Sequence, residues 1–148
     1  MEYFLYFTSD APTSITLLKI VDPSFLTITS WADMLPININ NKTNREKFDI
    51  VTARAVSNLP VLSELCLPLT RVDGYFIAMK GSNKDEIEDA RFAIRTLGGH
   101  IEEIVNFTLP IEESERNIIR ISKIKKTPEE YPRRYEKIVK NPLKIKAK

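Results

Sequence analysis

The sequence predicts an α/β fold in which a mostly parallel sheet ends in an antiparallel hairpin. Three observations lead there. Two short apolar runs, "FDIVTA" (Phe48–Ala53) and "YFIAMKG" (Tyr75–Gly81), are rich in β-branched and aromatic residues, as strands covered on both faces are. A helical pattern follows each, and the order strand, helix, strand, helix implies parallel strands joined by right-handed crossovers. Two further strand-like runs are separated by only a few residues around "IEESE", a spacing that fits a hairpin.

The elements follow in order. Residues 1–41 carry five charged residues and no glycine, whereas residues 42–148 carry thirty-seven charged residues and all four glycines. Pro12, Pro23 and Pro36 interrupt the early segment, which sustains no period of 3.6 or 2. "SITLLKIV" (Ser14–Val21) fits a strand or a helical turn equally, so no element is assigned before the first clear strand. After Phe48–Ala53, Ser57 or Asn58 can cap a helix whose first turn tolerates Pro60. Val61, Leu62, Leu65 and Leu69 share its apolar stripe, and Pro68 marks its end. Asp73–Gly74 reads as a turn into Tyr75–Gly81. "NKDEIEDARFAIRTLGG" then gives an amphipathic helix with Ile87, Ala90, Ile94 and Leu97 inward, acids in its first turn and Gly98 ending it. "HIEEIVNFTLP" is a strand with Ile101, Ile104 and Phe107 as inward candidates, and "RNIIRISKIKK" is its partner. The resulting pattern is β-α-β-α-β-β.

The chain of 148 residues suits one domain. Its composition, 43% apolar and 28% charged, is globular, and no apolar run approaches the about 18 residues of a membrane helix. The N-terminus "MEYFLYFTSD" has an acid and no base before its apolar run, which argues against a secretory signal and for a cytoplasmic protein. The lone cysteine, Cys66, excludes an internal disulfide and reads as a small buried hydrophobe. One histidine and one cysteine exclude a Cys/His zinc site within the chain, and no metal is expected. The net charge of +2 hides an asymmetry: residues 120–148 carry +8 and the rest −6. An acidic body with a basic tail suggests a polyanionic partner, most simply nucleic acid; a merely solvated tail is the alternative.

Arg54 places a permanent charge at the end of a core strand. Ligands of open α/β sheets sit at the carboxyl ends of the strands, so Arg54 would stand at a ligand crevice, where a guanidinium binds carboxylate or orients loop carbonyls. The alternative is a structural arginine that caps the strand or pairs with Asp49 or Glu64. Lys80 ends the next strand at the same edge and could approach phosphate; a solvated lysine before a Gly81 turn is the alternative.

Six phrases occur in one order: "FDIVTARAV", "LSELCLPL", "GYFIAMKG", "TLGG", "LPIEESERNI" and "TPEEYPRR". Together, over about residues 45–135, they resemble the C-terminal half of the ribosomal RNA small-subunit methyltransferase G family, also called glucose-inhibited division protein B. The resemblance implies a partial class I (Rossmann-like) S-adenosylmethionine-dependent methyltransferase sheet, in a family whose seven-stranded sheet carries helices on both faces. It implies S-adenosyl-L-methionine as cofactor, methyl transfer to N7 of a guanine in 16S ribosomal RNA, and the small ribosomal subunit as partner of a monomer that binds no membrane. It maps the family's cofactor-binding arginine onto Arg54. Lys80, Arg133 and Arg134 are candidate RNA contacts, and no catalytic residue is assigned.

Departures from the family pattern shape the expected organisation. No glycine precedes Gly74, so the glycine-rich turn that brings backbone close to the cofactor is missing. "IVD" (Ile20–Asp22) and "ADM" (Ala32–Met34) are similar to acidic cofactor contacts, although their neighbours do not match. Residues 1–41 therefore read as an atypical segment, from a shifted reading frame or an unrelated start. Residues 42–126 read as the C-terminal half of a methyltransferase domain, and residues 127–148 as a basic tail. The competing functions are an inactive methyltransferase remnant and a small RNA-binding module acting through that tail.

Overall fold

The computed structural model describes residues 24–28, 44–54, 57–81, 84–110 and 113–144. The elements are β1 (Phe25–Ile28), β2 (Phe48–Arg54), α1 (Leu59–Cys66), β3 (Thr70–Gly81), α2 (Lys84–Thr96), β4 (Gly99–Thr108), β5 (Glu115–Lys123) and a short α3 (Tyr135–Lys140). They build a five-stranded sheet in the order β1-β2-β3-β5-β4. β1, β2 and β3 are parallel, and β5 is antiparallel to both β3 and β4. The β-α-β-α-β-β pattern and its terminal hairpin are thus present, with β5 inserted between β3 and β4.

Three details differ from the expectation. A four-residue strand, β1, lies within the segment to which no element was assigned; it is too short to show periodicity, and the Ser24 carbonyl anchors it by accepting from the amides of Asp49 (2.8 Å) and Ile50 (3.2 Å). Ser14–Val21 lies outside the described residues. Asp73–Gly74 does not precede β3 but interrupts it. β2–β3 pairing jumps from Phe48↔Thr70 to Ile50↔Tyr75, so the extra residues bulge out of β3. Asp73 takes φ 66, and a Cβ on Gly74 would lie 2.6 Å from the Asp49 carbonyl oxygen, so only glycine allows that approach. Finally, Phe107 points outward and is 40% exposed. A bulge between Ile101 and Glu103 adds a residue, which keeps Ile101 and Ile104 against the core; the odd step from 104 to 107 then turns Phe107 to the other face.

Helix α1 begins at Asn58, whose side chain accepts from the Val61 amide at 3.1 Å, with Pro60 in the first turn. All eight of its residues are buried, well beyond the single apolar stripe read from the sequence. Helix α2 buries Ile87, Ala90, Ala93 and Ile94 with Leu97 just beyond, and the chain leaves it through Gly98 at φ 88. Both helices share one core with Val51, Ala53, Phe76, Ala78, Ile119 and Ile121 of the sheet. The crossovers step the same way across the sheet, so right-handedness puts both helices on one face. Among the described residues the family's second helical layer is therefore not seen. The alternate residues Arg54, Tyr75, Ile77, Met79, Gly81, Arg116, Ile118, Val105 and Phe107 form the opposite face.

Residues 127–144 pack on the domain. Arg45 donates to the carbonyls of Thr127 (2.6 Å), Pro128 (2.9 Å) and Tyr131 (2.6 Å), and Ile138 of α3 is fully buried in the core. This strap covers α1 from outside and explains the burial of its polar side.

Candidate functional site

The carboxyl ends of β1, β2 and β3 lie at one edge of the sheet, and Arg54 closes β2 there, opposite Met79 of β3. Arg54 is exposed. Both acids that offered it a structural role are engaged elsewhere. Asp49, at the other end of the strand, pairs with Arg71, and Glu64 pairs with Arg133 on the far side of α1. Among the described residues the Arg54 guanidinium has no ion-pair partner, which leaves it available to an anion at this edge.

Lys80, one step beyond Met79, is built into the fold. Its Nζ donates to the Ser57 carbonyl at 2.5 Å and pairs with Glu86 Oε1 at 2.8 Å, and its side chain is only 13% exposed. The same carboxylate oxygen accepts from the Leu59 amide at 2.5 Å, at the positive start of α1. Lys80 therefore fastens the connection from β2 to α1, which begins directly after Arg54, to the first turn of α2. Sequence reasoning took Ser57 only as a possible helix cap and did not single out Glu86, for which the acid-rich first turn of α2 was the signal.

Arg133 is not a free cation. Arg133 holds Glu64, which has no solvent exposure, through Nε (2.8 Å) and Nη2 (2.6 Å), while its backbone amide donates to the same carboxylate at 3.0 Å. Its hydrogen bond to Glu64 holds the Arg133 guanidinium above its ordinary range against the opposing effect of burial. Arg134 is exposed and precedes α3 as its N-cap residue, without a side-chain capping bond. Arg133, Arg134, Glu130, Pro132, Glu136 and Lys137 line an open surface hollow of about 620 Å³ whose charges are mixed.

Two further titratable groups sit away from the edge. Cys66 is fully buried, and burial pushes its thiol up, as expected of an inert core residue. Lys123 is also fully buried; its Nζ donates to the carbonyls of Leu67 (2.6 Å) and Thr70 (3.0 Å) and pairs with Glu46 at 3.2 Å. Burial lowers it to about 8, against the opposing pull of Glu46. Among the described residues no helix is long and apolar enough to cross a membrane.

A family model described as "GidB: rRNA small subunit methyltransferase G" matches residues 30–119. The match starts inside the segment read as unlike the family and takes in Ala32–Met34, while residues 1–29 lie outside it. The chain is similar to the ribosomal RNA small subunit methyltransferase G of Oceanobacillus iheyensis, 63% identical over 95 residues that cover 64% of this chain and 40% of that protein. It is similar to the same-named protein of Bacillus licheniformis, 55% identical over 104 residues covering 70% of this chain and 44% of that one. The Acetivibrio thermocellus protein is 52% identical over 99 residues, 67% of this chain and 41% of the relative. The chain thus spans less than half the length of these curated relatives.

Proposed function

From the premise that this chain belongs to the rRNA small subunit methyltransferase G family, we propose that it serves S-adenosylmethionine-dependent methyl transfer to N7 of a guanine in 16S ribosomal RNA. The observation that carries the reading is Arg54: an exposed cation at the carboxyl edge of the sheet, with Asp49 and Glu64 both engaged elsewhere. It fits the carboxylate end of S-adenosylmethionine, for which a charge-assisted hydrogen bond is the natural recognition. The fit covers that end alone, since no glycine precedes Gly74 to bring backbone close to the rest of the cofactor. We expect weak cofactor binding from this chain by itself.

When bound, S-adenosylmethionine supplies an electrophilic methyl group on its sulfonium. Guanine N7 carries a free lone pair and no proton, so no side chain has to act as a base. What remains is alignment, and holding reactants in line is itself a large source of rate. Arg54 would hold one end of the cofactor. Lys80, Ser57 and Glu86 would fix the connection that follows it. The same reading makes the small ribosomal subunit the partner of a cytoplasmic monomer. Incubation with labelled S-adenosylmethionine and unmethylated 16S ribosomal RNA tests it. Label recovered as N7-methylguanine supports the reading; no transfer at saturating cofactor and RNA overturns it for this chain.

A further inference from the structure

The connection from β2 to α1 leaves the sheet at the carboxyl edge, directly after Arg54, and it is pinned at three consecutive residues. The Ser57 carbonyl accepts from Lys80 Nζ at 2.5 Å, the Asn58 side chain caps α1, and the Leu59 amide donates to Glu86 at 2.5 Å. Lys80 follows Met79, the register partner of Arg54, so the pinned connection belongs to the same edge as Arg54. Asn58 is exposed there. The orientation of its amide is set, because only the oxygen can accept from the Val61 N–H at 3.1 Å. Oδ1 is thus committed to the cap, and Nδ2 keeps two hydrogens with no partner among the described residues. Capping uses the oxygen alone, and aspartate or serine would cap α1 as well. The donor half of Asn58 is therefore not explained by the helix.

A donor of fixed polarity distinguishes the purines. On the edge that carries N7, guanine shows a second acceptor, O6, whereas adenine shows the N6 amino donor. An amide that cannot turn round to accept binds the first and is opposed by the second. Methylation at N7 narrows the choice of donor further. The N7 lone pair forms the new bond to the methyl carbon while the methyl–sulfur electron pair stays on sulfur and no proton moves, so N7 has to remain uncovered. An arginine fork would take O6 and N7 together. Any cation would also face the positive charge that the methylated ring acquires, and like charges brought together are costly. A neutral single donor on O6 avoids both. The two cations of this edge are committed in any case: Lys80 to Ser57 and Glu86, and Arg54 to the cofactor carboxylate in the reading above.

We propose that Asn58 selects guanine as the target base, donating from Nδ2 to O6 while Oδ1 stays on the Val61 amide. The proposal rests on the rRNA methyltransferase reading and adds to it the side chain that reads the base. The pins at Ser57 and Leu59 then have a purpose beyond the fold: they hold the donor still, so that a hydrogen bond to O6 also fixes the direction of N7.

The test compares two forms of one 16S ribosomal RNA fragment with the 148-residue chain at saturating S-adenosylmethionine. One carries guanine at the position that the parent chain methylates; the other carries 2-aminopurine there, which keeps N7 and lacks O6. Fragment affinity and methyl transfer are both read. The parent should prefer guanine by about 5- to 150-fold, the range for a donor left without its acceptor. Asn58→Asp keeps a capping oxygen and has no donor, so it should lose that preference by losing guanine, with the KM for S-adenosylmethionine unchanged. Asn58→Ser, a neutral cap of shorter reach, should behave alike and melt with the parent; it guards against repulsion between a new carboxylate and Glu86. A preference for guanine that persists in both variants overturns the role of Asn58 and leaves the methyltransferase reading standing. If the unaltered chain transfers no methyl group to the guanine form, both fall.

Discussion

Arg133 closes a two-pronged ion pair on Glu64, a carboxylate with no solvent exposure on the outer side of α1. The pair joins the C-terminal strap to the helix that fills the core, and a third bond, from Arg133 Nη2 to the Asn141 carbonyl at 2.9 Å, closes the strap on itself. Removing one member of such a pair leaves an uncompensated buried charge, which costs about 3–5 kcal/mol. Arg133→Ala should therefore lower stability by that order, read as a drop in the urea midpoint. Arg134→Ala, one residue on and exposed, should leave the midpoint unchanged. A midpoint for Arg133→Ala equal to the parent would mean that the strap contributes nothing to α1.

Lys123 predicts a pH dependence of defined sign. Burial lowers it to about 8 from an ordinary 10.5, so between those values the unfolded chain holds a proton that the folded chain has released. Stability attributable to this group then rises with pH across that window. Below about pH 8 both states are protonated and the cost of the buried charge is present in full. Urea midpoints measured from pH 7.5 to 10 should rise for the parent relative to Lys123→Met, in which the group is gone. Lys123→Met should also be less stable near pH 7, because the carbonyls of Leu67 and Thr70 lose their donor. Parallel pH profiles for the two proteins would overturn the assignment.

Lys80 and Glu86 should prove coupled. A double-mutant cycle on Lys80→Met and Glu86→Gln, chosen because glutamine still accepts from the Leu59 amide, should give a coupling energy of about 0.5–3 kcal/mol. A freely solvated strand-end lysine would give none. The cycle is read by denaturation, and proteolysis of the connection after Arg54 should increase in both single variants.

The elements from Phe48 to Lys123 were legible because each carries its own local signal: β-branched runs for β2 and β3, Asn58–Pro60 opening α1, acids and Gly98 bounding α2. What escaped is what depends on distant partners. Phe107 fits an inward pattern until the bulge before Glu103 shifts the alternation, and no local residue announces that bulge. Asp73–Gly74 has turn chemistry, yet the close approach of the Asp49 carbonyl, from another strand, makes it a bulge within β3. At the candidate site, Arg54 was readable from its position at the end of a strand. The engagement of Lys80 and Arg133 was not, since Glu86 and Glu64 reach them only through the tertiary packing of α1 and α2. The packing of the basic tail on the domain was not legible for the same reason: Arg45, 82 residues from Thr127 in sequence, holds its backbone.

Arg54→Ala should weaken S-adenosylmethionine binding and leave the fold intact. Arg54 is exposed at the end of β2, so its removal opens no apolar cavity, and among the described residues no acid loses a partner. Melting curves of the variant and the parent should coincide. Loss of one charge-assisted hydrogen bond is worth roughly 1.5–3 kcal/mol, or about a 10- to 150-fold rise in dissociation constant by calorimetry. The measurement needs two backgrounds, because the chain has no glycine before Gly74 and its own affinity should be weak. One is the 148-residue chain. The other joins residues 42–148 to the N-terminal part of a relative such as the Oceanobacillus iheyensis protein. In the joined protein the cofactor should bind firmly and Arg54→Ala should cost the stated factor. Equal affinity for the parent and Arg54→Ala there would remove Arg54 from the cofactor site and leave it a strand-end charge. Firm binding by the short chain itself would show that the glycine-rich turn is dispensable, and the Arg54 contact would then have to account for a larger share of the affinity.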